Sequence, residues 1–173
     1  MTPGAGALIA AVNAMGWPVV MVSNQAGVGR GYYDWSDFRD VQAEIHRQLA
    51  GFGAAIDAVF ACGYHEKGRA PLDVPDHVWR KPNPGMLMAA AEMLDLDMAG
   101  SWIVGDRASD LAAGRSAGLC GGALVATGYG AEMQEIAGAE ALGGAGFAVR
   151  RIENLAAFDL DWTKARRPAA AGC

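Results

Sequence analysis

The chain has 173 residues and 52% of them are apolar, enough for one domain with a sizeable core and too apolar for intrinsic disorder. Its formal net charge is −5, and Lys and Arg are scattered apart from Lys164, Arg166 and Arg167. A nucleic-acid partner is therefore not expected, because no basic stripe would neutralise phosphates along a strand. Gly, Pro or charged residues interrupt every apolar run before it could span a bilayer, so no membrane partner is expected either. The first residues also lack the basic and apolar regions of a signal peptide. Cys62, Cys120 and Cys173 are odd in number and far apart, which suits a reducing cytoplasm better than a disulfide framework. The expectation is a cytoplasmic monomer with a single domain over residues 1–162 and a disordered tail over 163–173.

In chain order, small and apolar residues from Ala5 to Met15 predict a helix stopped by Gly16. Pro18 to Val22 is a nearly all-apolar run, the pattern of a buried parallel strand. A Gly-rich loop follows from Asn24 to Gly31. Asp34 with Asp37 marks a helix start, and Phe38, Val41, Ile45 and Leu49 keep helical spacing to about Ala50. Ile56 to Ala61 is the next strand. A long irregular segment from Cys62 to Arg80 contains His65 and His77, and loops of that length are usually functional. Pro84 opens a helix to about Leu94. Ser101 to Val104 forms a strand that delivers Gly105-Asp106, and Ala108 to Ala117 a helix stopped by Gly118. Leu124-Val125 and Phe147 to Val149 are short strands, and Ile152 to Phe158 a short helix. Helices alternating with short apolar strands predict an α/β fold with a doubly wound parallel sheet.

In such a sheet, ligands sit beyond the carboxyl ends of the strands. Three such ends carry related chemistry. Ser23-Asn24-Gln25 offers a hydroxyl, amide donors and backbone N–H groups beside glycines that let the main chain approach an anion, although these are also ordinary turn formers. Arg80-Lys81 lies just ahead of a helix N-terminus, joining positive charge to orphan N–H groups, although a solvated basic pair is common. Asp106 stands at a strand end and Asp110 near the first turn of the next helix. One or two carboxylates of that kind, with phosphate oxygens and waters, can hold Mg²⁺. Asp110 could equally serve only to complement the helix N-terminus.

Together the stretches VVMVSNQAGVGRGYY, WRKPNPGML and WIVGDRASDLAAGRSAGL resemble three ordered motifs of the haloacid-dehalogenase-like phosphatases, in the branch of heptose bisphosphate and histidinol-phosphate phosphatases. The resemblance covers about residues 5 to 155. It implies a Rossmannoid fold and Mg²⁺-dependent hydrolysis of a phosphate monoester on a small sugar or alcohol, with a heptose bisphosphate preferred over histidinol phosphate. Carried over, Ser23 would hold the transferring phosphoryl group with Asn24 and Gln25 beside it. Lys81 would neutralise charge, Arg80 and Arg107 would meet the substrate, Asp106 would bind Mg²⁺, and Asp110 would buttress the metal site.

Two departures accompany the resemblance. It implies an Asp nucleophile in a DxDGT-like motif on a central strand, and no such motif precedes the first helix here. Asp95-Leu96-Asp97 is simplest as a polar connection. Asp159-Leu160-Asp161 has no apolar strand leading into it. The sheet is therefore expected to lack its first, central strand, in a truncated chain of negligible activity. The rival expectation is a non-catalytic phosphate-binding or regulatory domain. The branch also implies a Zn²⁺ loop. Cys62, His65 and His77 could supply three ligands but no fourth is evident, so packing around Trp79 and Leu72 is expected to hold that loop instead. His46 is expected on a helix surface.

Overall fold

The structure, a computed structural model, describes residues 1–164. Helix α1 (Ala5–Ala14) leads into strand β1 (Val20–Asn24), then α2 (Ala26–Arg30) and α3 (Trp35–Ala50). Strand β2 (Ala58–Cys62) follows, then the long loop, α4 (Gly85–Leu94), β3 (Trp102–Gly105) and α5 (Ala108–Ser116). The order closes with β4 (Gly121–Val125), α6 (Met133–Glu140), β5 (Ala148–Ile152) and the short α7 (Asp161–Lys164). No helix among the described residues is long and apolar enough to cross a membrane.

The strands form two parallel sheets rather than one. β1 pairs with β2, Val20 opposite Ala58 and Asn24 opposite Cys62. β3 pairs with β4, and β4 with β5, Val125 opposite Ile152. Both faces of both sheets are covered, as parallel strands joined by helical crossovers require. Along β1 the side chains alternate. Val19 and Met21 pack with Ile9, Ile45 and Leu49 under α1 and α3, whereas Val20 and Val22 face Phe60, Met86 and Ala90 beneath α4. In the other sheet Ile103 and Leu124 meet Leu111 and Phe147 on one face. Val104, Ala123 and Val125 meet Leu155, Phe158 and Trp162 on the other. Val22 packs against the clusters of both sheets, so the two halves share a core on that face.

Several element boundaries differ from the sequence reading. β1 begins two residues later and runs through Ser23 and Asn24, so these residues sit on a strand end rather than in a loop. The Gly-rich stretch folds into α2, whose end is set by Gly31 at φ 71. Ile152 closes β5, and only Leu155–Ala157 makes a turn of 3-10 helix where a helix from Ile152 to Phe158 was expected. Asn154 accounts for that start, its side chain accepting from Ala156 N–H at 2.9 Å. The Asp34 start is as read: its carboxylate accepts from Ser36 and Asp37 N–H, and the Asp37 carboxylate accepts from Asp34 N–H. His46 lies exposed on α3. Of the expected disordered tail, Thr163 and Lys164 belong to α7, and residues 165–173 lie outside the described residues.

Candidate active site

The carboxyl ends of β1 and β3 meet through Lys81. Its ammonium donates to the Val22 carbonyl at 2.8 Å and lies 2.7 Å from Asp110 Oδ1. The Lys81 and Asp110 side chains are only 11% and 10% exposed, so this ion pair is largely withdrawn from water. The backbone around Lys81 is fixed by Asn24. The Asn24 amide donates to the Lys81 carbonyl and its oxygen accepts from Lys81 N–H, both at 3.0 Å. Upstream, Arg80 N–H bonds back to the His77 carbonyl, and Asn83 ties the loop to Asp76 at 2.8 Å. Lys81 has three N–H donors and two have protein acceptors, so one direction remains for a ligand anion.

Ser23 stands beside this centre at the end of β1. Its hydroxyl accepts from the Gln25 amide at 2.7 Å, and Gln25 in turn accepts from the Tyr33 hydroxyl at 2.5 Å. This chain orients the hydroxyl and leaves its own proton to donate elsewhere. Asn24 and Gln25, read as phosphate neighbours, therefore spend their amides on Lys81 and Ser23. They shape the site from behind.

Asp106 follows β3, and Oδ2 accepts from Tyr129 N–H at 3.0 Å, in the turn after β4. Gly128 in that turn has φ 68, and a Cβ there would collide with the Asp106 carboxylate. Among the described residues Asp106 Oδ1 has no hydrogen bond. Asp110 is different. Oδ1 is paired with Lys81 and Oδ2 accepts from Arg107 N–H at 3.1 Å, so both oxygens are engaged. The close packing extends to Gly105, where a Cβ would overlap the Asp110 side chain. Mg²⁺ takes few protein carboxylates and keeps phosphate oxygens and waters. Asp106 thus fits as the protein's share of a magnesium site, with Asp110 one layer behind, holding Lys81.

Arg107 and Arg80 are both held by protein groups. The Arg107 guanidinium stacks 3.6 Å from the Tyr129 ring centroid and reaches Glu135 at 3.4 Å. Glu135 also accepts from Ala108 N–H at 2.6 Å, capping α5 from 27 residues away. Arg80 donates to the Tyr64 carbonyl at 3.3 Å. Tyr33, Tyr129 and Glu135 were missed by the sequence reading. The Gly-Tyr-Gly turn at residues 128–130, directly after a strand, was the available signal for Tyr129, whereas Glu135 has no local signature.

The zinc candidates do not converge. Among the described residues no group of three or more His, Cys, Asp and Glu side chains is arranged to hold a metal ion. Cys62 is buried at the end of β2, and that burial pushes its thiol above the usual range. His65 Nδ1 accepts from Lys67 N–H at 3.0 Å, and burial, then the charges of Arg80 and Arg30, hold its imidazole below the ordinary value. His77 stacks on Tyr64 at 3.8 Å and accepts from Trp79 N–H at 3.1 Å. Trp79 packs edge-on to Phe60 at 6.0 Å, and the Leu72 carbonyl accepts from His65 N–H at 3.0 Å. Side-chain packing and backbone bonds thus shape the loop. The two Asp-x-Asp pairs are also structural: Asp95 ends α4 at φ 50, Asp97 accepts from Gly100 N–H, and Asp159 accepts from Asp161 N–H.

The Ser23 hydroxyl at the end of β1, Asp106 just after β3 and the buried Lys81 from the loop before α4 thus lie at the carboxyl ends of parallel strands in an α/β fold. The chain belongs to the HAD-like hydrolase family. A HAD-hydrolase-like family model matches residues 78–142. Within the family it is similar to D-glycero-D-manno-heptose 1,7-bisphosphate 7-phosphatases of several bacteria. One from Mesorhizobium japonicum is 50% identical over 117 residues, covering 68% of this chain and 54% of that protein. Another, from Thermosynechococcus vestitus, is 38% identical over 140 residues, covering 78% and 70%. The chain spans little more than half the length of the relatives from Mesorhizobium japonicum and Burkholderia mallei. Among solved structures, the D,D-heptose 1,7-bisphosphate phosphatase of B. bronchiseptica complexed with magnesium and phosphate superposes with a TM-score of 0.71. It is 36% identical, with 90% of this chain and 79% of that one covered. The D,D-heptose 1,7-bisphosphate phosphatase of Burkholderia thailandensis gives 0.63 at 32% identity, covering 92% and 84%.

Proposed function

We propose that this chain supplies the phosphate-gripping half of a Mg²⁺-dependent phosphatase for a heptose 1,7-bisphosphate-like sugar, working in the cytoplasm as one domain over residues 1–162. The observation that carries the reading is the placement of Lys81, bonded to the end of β1 and to Asp110 behind β3 with one donor to spare. Transfer of a phosphoryl group leaves charge on its equatorial oxygens, and preorganised cations and donors at those oxygens lower the barrier. Ser23 offers its hydroxyl proton to one oxygen and Lys81 its third N–H to another. Asp106 would hold Mg²⁺, which supplies further charge neutralisation on the phosphate. Arg80 and Arg107 each spend one N–H, on the Tyr64 carbonyl and on Glu135 respectively, and their remaining donors would meet the rest of the substrate.

The reaction needs a nucleophile. In an aspartyl-phosphate route, a carboxylate attacks phosphorus, the sugar oxygen leaves and takes a proton from a neighbouring acid, and water then hydrolyses the acyl phosphate. Every Asp near the described site already has another task. Asp110 neutralises Lys81, and Asp106 is anchored by Tyr129 and reserved for the metal. The chain alone is therefore proposed to bind phosphate without turning over.

Two measurements test this. Inorganic phosphate titrated calorimetrically should bind in the presence of Mg²⁺, and Lys81→Ala and Asp106→Asn should each weaken binding at least tenfold. Phosphate release from a heptose 1,7-bisphosphate should not exceed that of Lys81→Ala. Robust turnover overturns the missing-nucleophile clause, and failure to bind phosphate overturns the site.

A further inference from the structure

Ser23 meets the phosphate site through a hydroxyl whose oxygen is already engaged. Gln25 Nε2 donates to Oγ at 2.7 Å, and Gln25 Oε1 accepts from the Tyr33 hydroxyl at 2.5 Å. Tyr33 is exposed and follows α2, so this chain of bonds runs from the surface to the end of β1. The Tyr33 ring is held without its hydroxyl. Gly31 ends α2 at φ 71 and Tyr32 N–H returns to the Gly27 carbonyl at 2.9 Å, a reversal that lays the Tyr33 ring over Gly27. A Cβ on Gly27 would collide with that ring. Gln25 is held separately, its N–H donating to the Cys62 carbonyl at 2.7 Å at the end of β2. The bond between the two side chains is therefore not needed to place either residue.

A primary amide has a donor end and an acceptor end, whereas a hydroxyl does either. The same three side chains can thus be wired in two directions. In the arrangement of this structure Tyr33 donates, Gln25 turns its N–H to Ser23, and the serine proton is free for a ligand. With the amide reversed, Gln25 Oε1 takes the serine proton and Tyr33 accepts from Nε2. Ser23 then faces the site with lone pairs alone, which repel a phosphate oxygen. Tyr33 biases the choice, because a phenolic oxygen shares its lone-pair density with the ring and so donates better than it accepts. Successive bonds pointing one way also polarise one another.

We propose that Tyr33 is a positioning residue that fixes the direction of the Ser23 proton, making Tyr33, Gln25 and Ser23 a one-way donor chain that ends on a phosphate oxygen. The inference rests on the phosphate-binding function proposed above. It adds to that function a surface residue that acts on the phosphate only through Ser23.

The test is a double-variant cycle on the full chain, with inorganic phosphate titrated calorimetrically in the presence of Mg²⁺. Tyr33→Phe keeps the ring over Gly27 and deletes only the hydroxyl. Ser23→Ala loses a hydrogen bond to a charged group and should weaken binding at least about tenfold. Tyr33→Phe leaves the amide free to take either direction and should weaken it at least about threefold. In the Ser23→Ala background Tyr33→Phe should change binding by less than about 1.5-fold, since its effect passes through Ser23. Tyr32→Phe, altering the exposed neighbouring ring, should bind as the parent does. No weakening by Tyr33→Phe, or equal weakening in both backgrounds, overturns the relay. Where the parent or Ser23→Ala binds no measurable phosphate, nitrogen NMR of the Gln25 side-chain amide decides. Ser23→Ala should shift its Nε2 protons in the parent and by less than about half as much in Tyr33→Phe, where the amide has turned; equal shifts overturn the relay. Unequal shifts in a parent that binds no phosphate support the relay and count against the function proposed above.

Discussion

Replacing Asp110 isolates the interaction on which the site is built. In Asp110→Asn the side chain keeps its shape and an oxygen for Arg107 N–H, but the charge facing Lys81 is gone. Removing one member of a buried pair costs about 3–5 kcal/mol, mostly because the surviving charge stays buried and uncompensated. Here Lys81 retains the Val22 carbonyl at 2.8 Å and borders an open cavity that admits water. Both features soften the penalty, placing the expected loss near the lower end, about 3 kcal/mol. With a urea slope of about 2 kcal/mol per molar, the unfolding midpoint falls by about 1.5 M.

The double variant separates this cause from a general packing defect. Lys81→Met with Asp110→Asn removes both charges, and Met follows the lysine stem through the same contacts. Its loss should be smaller than the sum of the single losses by at least about 2 kcal/mol, a coupling size seen for residues sharing a network. The assay is urea unfolding followed by circular dichroism and tryptophan fluorescence, whose coincidence checks two-state behaviour. Additive single losses, or an Asp110→Asn midpoint within experimental error of the parent, would refute the argument that charge pairing organises the site. If Asp110→Asn fails to fold, recovery of a cooperative transition in the double variant still carries it.

Asn24→Ala removes two 3.0 Å hydrogen bonds to the Lys81 backbone, so it should lose about 1–3 kcal/mol by the same unfolding assay and weaken Mg²⁺-dependent phosphate binding. Gly128→Ala forces a side chain into a left-handed backbone position and against the Asp106 carboxylate; Mg²⁺ binding followed by calorimetry should fall at least tenfold. Burial pushes the Cys62 thiol up, so little thiolate exists at pH 8, and mass spectrometry should find its alkylation by iodoacetamide at least tenfold slower in the folded protein than in urea. Hydrogen bonds from Arg47 and then Gln48 lower the Glu44 carboxyl from 4.5 to about 2. Its contribution to stability is therefore full above pH 4.5 and lost as pH falls through about 2, and NMR titration of the carboxyl carbon should show that midpoint, shifted upward in Arg47→Ala.

What was legible in the sequence follows the range of the interactions involved. α3 could be read because its start is a local exchange between Asp34 and Asp37 and its buried face repeats at helical spacing. Asp106 could be read because a strand end is marked by the apolar run before it. Ser23 and Asn24 were assigned one element too late, since the apolar pattern stops at Val22 while the pairing with β2 continues to Cys62. Polar residues at the end of a parallel strand carry no periodic signature. The partners of the site residues were harder still. Asn24 meets Lys81 across 57 residues and Ala108 meets Glu135 across 27, so neither contact exists until the strands are placed. The arginines show the same limit from the other side. Their type and position suggest substrate contact, but nothing local announces that Tyr129, Glu135 and the Tyr64 carbonyl orient them.

The incomplete burial of β1 links these observations. A parallel strand of Val, Met and Val normally lies between two neighbours and is sealed on both faces, as β4 is. β1 is sealed on its faces by α1, α3 and α4 but open along one edge. Lys81 occupies the upper end of that edge by bonding the Val22 carbonyl, and its charge is tolerated there because Asp110 lies across the gap. The ion pair therefore holds the carboxyl ends of the two sheets together where no strand hydrogen bonds do.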